Sequence, residues 1–362
     1  MSPKKKQNEN NEKMFVAFIF VIFLVSFLYV GLTIYLGMFP GGNTKAAYTW
    51  GSLATIDSSN NPGKYSSIAS SSGVLHVSYY AQNTGDLMYA RSTDGGLIWA
   101  TTTVDATGDV GQYSSIAVNS SGVPIISYYD VTNEDLKLAI RNNTTGVWTT
   151  QTLESTNNTG RFTSLTSTTT ALYLSYIWVD GTSADLKVKK LNVNSGNAMW
   201  TTTADDTDTD GNHEWTTSIG VASSGSVYVS YAYRAGADLR LKVLDSSGNV
   251  TSSETVDDGS TMGKFNALAF NSSGNPIISY NDGNNLYLRF AEYVGGGTGS
   301  GCTGNTNWNC TTVDGTELTG QYTSMALNAA NKPVITYYSH SASSANRRYA
   351  EYVGAGAGSG CG

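Results

Sequence analysis

The residues with the clearest potential for chemistry lie in the acidic stretch ADDTDTDGNHEW. Asp206, Asp208 and Asp210 alternate and are followed by a glycine, the spacing at which carboxylates and a tight turn wrap around Ca²⁺. Glu214 occupies the ninth position of such a loop, but Thr217 stands at the twelfth, where a bidentate Glu is expected. The stretch is therefore a candidate calcium site, with a solvated acidic turn as the alternative.

A second group of candidates consists of long polar side chains that each stand between a glycine and an aromatic residue. The group comprises Lys64, Gln112, Arg161, Lys264 and Gln321, with His213 near the corresponding place of a fourth copy. Long polar groups beside aromatic rings suit the binding of a glycan or a protein loop. We interpret them as a candidate ligand-binding rim; solvated surface residues are the alternative.

The histidines offer no catalytic constellation. His76, His213 and His340 are the three histidines of the chain, and they are too far apart in sequence for a metal trio or a nucleophilic triad. His76 lies inside an apolar run, which favours a buried structural role. Asp105 and Asp314 recur at one place of a repeat, which favours a turn or a cap over catalysis.

An internal repeat must position these side chains. It has a period of about 50 residues and starts near Gly63, Gly111, Gly160, Gly211, Gly263 and Gly320. The first five copies hold four short β-rich runs separated by turns, and their third run opens with an Asp-Leu pair, or with Asn285-Leu286 in the fifth copy. Four short strands per repeat predict an all-β fold, a β-propeller of about six four-stranded blades.

A strand at the start of the propeller is predicted to close the ring. In residues 47–57, Trp50 and Asp57 match Trp308 and Asp314 of a fourth strand, and the sixth copy lacks such a strand. We therefore expect the N-terminal strand to complete the last blade of a propeller that spans residues 47–362, which leaves no free sheet edge.

The cysteines raise a separate question about the C-terminus. We expect Cys302 and Cys310 to form a disulfide across a hairpin. The phrase that ends at Cys302 is nearly duplicated by the one that ends at Cys361, which has no matching partner. We interpret this odd cysteine as a sign that the chain is truncated, in which case the blade number exceeds six.

The N-terminus differs from the rest. Residues 1–13 contain four lysines, residues 14–39 are uncharged and mostly apolar, and residues 40–46 form a linker. At about 1.5 Å per residue the apolar segment can span a hydrocarbon core of about 30 Å. It predicts an uncleaved signal anchor with a cytoplasmic tail and an extracellular propeller; a cleaved signal peptide is the alternative.

The charge balance excludes one class of partner. The chain has a formal net charge of −7, and the part after the tail carries no basic run or stripe. A protein that neutralises phosphates needs such a surface, so we expect no nucleic-acid partner.

The stretch STDGGLIW contains Ser92, Asp94, Gly96 and Trp99 in the pattern Ser-x-Asp-x-Gly-x-x-Trp. It resembles the Asp-box of sialidases and other BNR-repeat propellers. The resemblance implies a structural hairpin on the side away from any active site. Sialidase activity would further imply an Arg triad with an early Arg-Ile-Pro motif, and the chain has no such motif.

We thus expect a membrane-anchored, extracellular β-propeller for the binding of a glycan or a protein, or for adhesion, through its rim loops; the sequence leaves an enzymatic activity open and favours none. A cell-surface sialidase-like hydrolase is the alternative, and a structural surface-layer component is a third. Ca²⁺ is the one cofactor suggested, and the sequence leaves the oligomeric state open.

Overall fold

The structure is a computed structural model that describes residues 55–181, 183–208, 216–233, 236–259, 261–316, 318–341 and 344–352. Within these residues, no helix is long and apolar enough to cross a membrane. The predicted tail (1–13), anchor (14–39) and linker (40–46) lie outside the described residues, as does most of the predicted closing strand. They remain predictions.

The described chain forms strands that pair with their neighbours in sequence. The first blade contains β1 (Pro62–Ser71), β2 (Val74–Ala81), β3 (Asp86–Ser92) and β4 (Ala100–Asp105). The second contains β5 (Val110–Val118), β6 (Pro124–Asp130), β7 (Asp135–Arg141) and β8 (Trp148–Glu154). The third contains β9 (Asn158–Ser167), β10 (Ala171–Val179), β11 (Ala184–Asn192) and β12 (Ala198–Asp208).

The remaining blades follow the same order. The fourth contains β13 (Thr217–Val221), β14 (Val227–Tyr233), β15 (Asp238–Leu244) and β16 (Val250–Asp257). The fifth contains β17 (Met262–Phe270), β18 (Pro276–Asp282), β19 (Tyr287–Tyr293) and β20 (Trp308–Asp314). The sixth contains β21 (Gln321–Leu327), β22 (Pro333–Ser341) and β23 (Ser344–Glu351).

These sheets make a six-bladed, all-β propeller, which confirms the predicted fold class. Five sheets have four antiparallel strands in sequence order, and the sixth has three described strands. Because strands alternate in direction, the loops from second to third strand and from one blade to the next share one side, which we call the upper face. The turns from first to second and from third to fourth strand share the opposite side, the lower face.

A backbone bulge opens most blades and explains the repeated glycine. Gly111 has a φ of +106°, and a Cβ there would lie 2.7 Å from Cα of Leu87 in the preceding blade. Two residues later Tyr113 has a φ of 54°, and the pairing of β5 with β6 shifts register between these positions. Only glycine allows this conformation together with so close an approach between blades.

Small hydroxyl residues join the inner strands of neighbouring blades. Ser127 in β6 donates a 2.9 Å hydrogen bond to Thr163 in β9, which donates a 2.8 Å bond to the carbonyl of Tyr113. Ser127 has no exposed surface. A buried hydroxyl needs such partners, so the repeated Ser-Tyr pair places the small polar residue where blades meet most closely.

An acid at the end of each fourth strand ties one blade to the next. Asp105 accepts a 2.7 Å hydrogen bond from the Tyr128 hydroxyl and lies 2.6 Å from Nζ of Lys137, both in the second blade. The same Tyr-to-acid bond recurs at Tyr176–Glu154, Tyr231–Asp205, Tyr280–Asp257 and Tyr337–Asp314. The recurring aspartates are therefore interblade anchors, in line with the structural role expected for them.

The third strand of the fifth blade starts later than the Asn285-Leu286 pair predicts. Leu288, not Leu286, pairs with Asp314, as Leu87 pairs with Asp105 in the first blade. Leu286 precedes β19 and has a φ of 58°. The prediction was wrong because the Asn-Leu pair lies in the loop: four residues separate β18 from β19, as four separate β6 from β7, so the strand opens at Tyr287.

The described end of the predicted closing strand contacts the first blade. Asp57 accepts a 2.8 Å hydrogen bond from the Tyr79 hydroxyl, and Ile56 packs against a buried cluster that includes Val77. The inner strand of this blade is less covered, since Ile68 is 63% exposed and its counterpart Ile116 is 5% exposed. Asp57 thus occupies the position of a fourth-strand acid relative to the first blade.

Candidate functional site

Aromatic residues of the opening bulges form a series around the upper end of the inner strands. Tyr65, Tyr113 and Phe162 follow one another in the first three blades, with ring centroids 4.6 and 4.4 Å apart. Phe265 and Tyr322 of the last two blades are 4.5 Å apart. We call these five residues the aromatic collar. All have φ values of 52–55°, a left-handed conformation that is strained for aromatic residues.

Tyrosines near the ends of the second strands flank the collar. Tyr80 lies 6.1 Å from Tyr65 and Tyr129 lies 6.2 Å from Tyr113, measured between ring centroids. Two members of the collar are open to solvent, with exposed fractions of 37% for Tyr65 and 68% for Tyr322. The upper face therefore presents aromatic surface that a planar or ring-shaped ligand can contact.

The predicted rim residues stand between the bulge glycines and this collar. Lys64 is exposed, and Gln112, Arg161, Lys264 and Gln321 are half-buried. His213 lies outside the described residues. The structure thus places five of the six at equivalent positions in five blades.

Arg161 and Gln112 each reach a tyrosine of the preceding blade. The Arg161 guanidinium lies 5.7 Å from the ring centre of Tyr129, within the range of a cation–π contact. Burial raises the pKa of Tyr129, and Arg161 acts in the opposite direction. Burial likewise raises the pKa of Tyr80, followed by its bond to Asp109, while Gln112 lowers it. Both tyrosines stay protonated at neutral pH and act as donors.

The sequence pattern did not predict the polar partners of these tyrosines. The Tyr80 hydroxyl donates a 2.8 Å bond to Asp109, and the Tyr129 hydroxyl donates a 3.0 Å bond to Asn158. Nδ2 of Asn158 donates in turn to Glu134 at 2.9 Å. The signal was the second Tyr of each Ser-Tyr-Tyr phrase, because alternation along a strand points it away from its buried predecessor.

A pair of acids on the upper side of the fourth blade also escaped the sequence analysis. Asp238, at the start of β15, is 5% exposed. Burial raises its pKa to about 6, the nearby Asp258 carboxyl adds to that shift, and Arg240 opposes it. Its Oδ1 has no hydrogen-bond partner within the described residues. A proton on one carboxyl would relieve both the repulsion and the unpaired oxygen.

Arg240 departs from its counterparts in the other blades. Its guanidinium carbon lies 3.4 Å from the ring centre of Tyr233, and Nη2 lies 3.4 Å from Oδ2 of Asp238. The distance to the interblade acid Asp205 is 3.9 Å, against 2.7 Å for Arg289 and Asp257. The Arg240–Asp205 ion pair is therefore longer than the Arg289–Asp257 pair, while the bond from Tyr231 to Asp205 is kept.

The predicted calcium site stays a prediction. Asp206 and Asp208 belong to the upper end of β12, but their side chains, and the residues Asp210 and Glu214, lie outside what the structure describes. Among the side chains that it does describe, no group of three acidic, His or Cys residues is placed to hold a metal ion.

The described arginines do not assemble an Arg triad. Arg289 and Arg348 pair with Asp257 and Asp314 between blades, at 2.7 and 2.9 Å. Arg91 and Arg141 lie near the lower ends of β3 and β7. Within the described part, Arg161 is the one arginine at the rim.

The motif of the first blade forms a compact hairpin on the lower face. Oδ1 of Asp94 accepts bonds from the Ser92 hydroxyl at 2.7 Å and from the amides of Leu97 and Ile98 at 3.0 Å each. The amide of Gly96 donates to Ser92 Oγ, and the Trp99 indole donates to the Gly96 carbonyl, both at 2.9 Å. The four motif residues thus hold a turn and lie opposite the collar.

Three other predicted residues have structural surroundings. A disulfide joins Cys302, in the turn that precedes β20, to Cys310 within β20. Nδ1 of His76 lies 2.6 Å from the hydroxyl of Tyr89, and burial lowers the pKa of His76 to about 4. This histidine is neutral at physiological pH.

No protein-family model and no curated protein sequence matches the chain. Solved structures match its fold. A protein of unknown function from Dyadobacter fermentans has a TM-score of 0.55 at 9% identity, covering 80% of this chain and 93% of that one. A polysaccharide lyase, an ulvan lyase bound to a GlcA–Rha3S unit, has a TM-score of 0.54 at 12% identity, covering 78% of each chain.

The Hadza microbial sialidase Hz136 is also similar, with a TM-score of 0.51 at 10% identity. The match covers 80% of this chain and 65% of the sialidase, so the chain spans less than two thirds of that enzyme. At such identities these similarities establish the propeller fold alone.

Proposed function

We propose that this chain is a glycan-binding propeller, anchored in the membrane by residues 14–39, whose upper face meets glycans outside the cell. The aromatic collar beside Arg161 carries this proposal. Sugar rings have apolar faces that stack on aromatic rings, while their hydroxyls bond to polar groups at the edge. The collar supplies the rings, and the rim residues supply the donors.

The cationic part of the rim favours an acidic glycan. Arg161 stands over Tyr129, and Lys64 is exposed beside Tyr65. A carboxylate or sulfate on a sugar can bond to a guanidinium in a bidentate manner. The similar folds of a sialidase and of a lyase bound to a glucuronate-containing unit agree with this chemistry without establishing it.

A glycan-cleaving enzyme is the second candidate, and the acid pair favours it. Asp238 has a pKa raised to about 6 and stands beside Asp258, which is the kind of perturbation that general acids show. Burial argues against direct contact with substrate, because Oδ1 of Asp238 is enclosed. We therefore place glycan binding first and glycan cleavage second. A structural surface-layer role would need neither the aromatic collar nor the acid pair.

Adhesion follows from binding if the anchor holds the propeller outside the cell. Calcium would then be a structural addition at Asp206, Asp208, Asp210 and Glu214. The anchor and the side chains of the calcium site lie outside what the structure describes; membrane extraction of the full chain and calcium titration test them.

A glycan array tests the proposal. The full chain in detergent is applied to neutral, uronate-containing, sialylated and sulfated oligosaccharides, alongside the Tyr113→Ala variant and the lower-face control Asn143→Ala. We expect retention on acidic glycans by the unmodified chain and the control, and loss by Tyr113→Ala. Absence of retention on every glycan contradicts the proposal, and release of cleaved sugar that Asp238→Asn abolishes supports the enzyme instead.

A further inference from the structure

The lower face of the first three blades ends in exposed apolar side chains. At the turns between third and fourth strands, Leu97 is 76%, Ile98 74% and Val147 62% exposed, and Met199, the second residue of β12, is 57% exposed. Each turn is followed at once by a tryptophan: Trp99, Trp148 or Trp200. We call these turns, with their tryptophans, the apolar tips.

The apolar tips are held rigidly. Asp94 fixes the amides of Leu97 and Ile98, and the ring of Trp148 packs edge-on against Tyr89, 4.9 Å away between centroids. The Trp200 indole donates a 3.2 Å bond to the carbonyl of Ser246 in the next blade. Large apolar groups in fixed turns have no partner to bury them within the blade, and such groups mark a contact surface.

Charge on this half of the molecule is divided between the two faces. Arg91, Arg141 and Lys190 lie near the lower ends of their third strands, and none forms an ion pair within the described residues. Of the acidic residues described in these blades, only Asp94 is on the lower side. The others are at upper strand ends or in upper loops: Asp57, Asp86, Asp105, Asp109, Asp130, Glu134, Asp135, Glu154, Asp180, Asp185, Asp205, Asp206 and Asp208.

This separation of charge between the two faces does not continue in the fourth and fifth blades. Near the lower ends of the third strands, the fourth and fifth blades carry Asp245 and Glu292. In an acidic protein, one half of the lower face thus combines tryptophans and apolar tips with cations that form no ion pair among the described residues. This is the composition with which proteins enter the interface of an anionic membrane.

We infer that the lower face of the first three blades rests on the lipid bilayer, with the apolar tips at the headgroup level and the three cations on anionic lipids. The inference rests on the proposed anchor. Residues 40–46 span at most about 25 Å when extended, and every fourth strand starts on the lower side. A closing strand at residues 47–57 would therefore enter the propeller from the side that faces the membrane.

Nitroxide labels in the full chain test this inference. Cys361→Ser removes the unpaired thiol, and a single label is introduced through Leu97→Cys, Val147→Cys or, on the upper face, Thr84→Cys. The proteins are reconstituted into phosphatidylcholine vesicles with or without phosphatidylglycerol. Collisions with oxygen report lipid, and collisions with a water-soluble nickel chelate report solvent.

With phosphatidylglycerol, we expect the labels at 97 and 147 to collide several-fold more with oxygen than with nickel, and the label at 84 to show the reverse. Changing Arg91, Arg141 and Lys190 together to Gln should remove most of that difference. A label at 97 as open to nickel as the one at 84 overturns the inference. A label shielded from both reagents indicates a protein contact and overturns it too.

The same vesicles separate this inference from the proposed function. Alkaline carbonate leaves an anchored chain in the membrane and extracts a peripheral one. An anchored chain with a solvated label at 97 overturns the inference alone, whereas an extracted chain overturns the anchor on which both depend.

Discussion

The Tyr79 hydroxyl donates a 2.8 Å hydrogen bond to Oδ2 of Asp57. Five other tyrosines make the same bond to an acid that ends the fourth strand of the preceding blade. The first blade differs from the others in one respect, because Met88 stands where they place Lys or Arg opposite the tyrosine. Asp57 therefore has the hydroxyl partner without the cation.

Supplying that cation should stabilise the propeller. We expect Met88→Lys to raise the free energy of unfolding by about 1 kcal/mol, since Asp57 is partly exposed and such pairs are weak. The converse change, Lys137→Met, should lower it by about 3 kcal/mol, because it leaves the buried Asp105 without its partner. Urea unfolding of the two variants measures both effects. Changes of equal magnitude in the free energy of unfolding would show that the acids are not the anchors of the ring.

The bulge glycines should tolerate no side chain. Gly111→Ala requires a φ of +106° and a Cβ 2.7 Å from Leu87 Cα, so we expect a loss of 3 kcal/mol or more, an order-of-magnitude figure for strain and overpacking. Gly122→Ala is the matched control, with a φ of +74° and nothing within 4 Å. It should cost about 1 kcal/mol. The ratio of the two losses in thermal unfolding checks the prediction.

Stability should fall in acid because of the interblade acids. Burial would raise the pKa of Asp105, but Lys137 and Tyr128 outweigh it and leave that pKa below its usual value. Glu154 and Asp314 behave alike. Such groups stabilise the fold above their unfolded pKa of about 4 and lose that effect as the pH falls through the folded pKa. A melting temperature that is flat from pH 6 to 2 would contradict this.

The acid pair, Asp238 and Asp258, should give stability the opposite dependence on pH. The folded pKa of Asp238, about 6, lies above the unfolded value, so its contribution is present below about pH 4 and is lost as the pH rises through 6. Asp238→Asn removes this dependence. The difference in melting temperature between variant and unmodified chain should therefore change between pH 4 and 7, and a constant difference would count against the shared proton.

The rim cation should set the preference for charge. We expect Arg161→Gln to weaken binding of an acidic oligosaccharide about tenfold, as for loss of a charge-assisted hydrogen bond, and to leave a neutral analogue nearly unchanged. Isothermal titration measures both affinities. Arg141→Gln, on the lower face, is the control and should alter neither; equal weakening for both ligands would assign Arg161 a structural role.

Much of this fold could be predicted because the repeat itself encodes it. Four runs per copy gave the blades, and the recurring Ser-Tyr pairs proved to be the buried contacts between them. Register was harder, since Asn285-Leu286 imitates the Asp-Leu pattern, whereas Leu288 is the residue that pairs with Asp314 and lies close to Gly320. The distance from the Ser-Tyr pair is the better guide, because Leu288 follows Tyr280 by eight residues, as Leu136 follows Tyr128.

The site was predictable in part for the same reason. Long polar residues after the bulge glycines stood out because they vary against a constant background. The contact between Tyr129 and Asn158 could not be recognised in the sequence, because its hydrogen bond joins residues 29 positions apart. The sequence did not indicate the acid pair because Asp238 resembles the Asp at the start of the third strands of the first three blades, and only its burial and its neighbour distinguish it.

Oxidative footprinting of the full chain, with and without the oligosaccharide that it retains best, tests the central claim most directly. Tyr65 and Tyr322 belong to the collar, and Tyr352, 48% exposed at the lower end of β23, is a matched control of the same residue type. If the upper face binds the glycan, oxidation of Tyr65 and Tyr322 falls several-fold on binding and that of Tyr352 is unchanged. Unchanged oxidation of both collar tyrosines, with the glycan bound, would contradict the account.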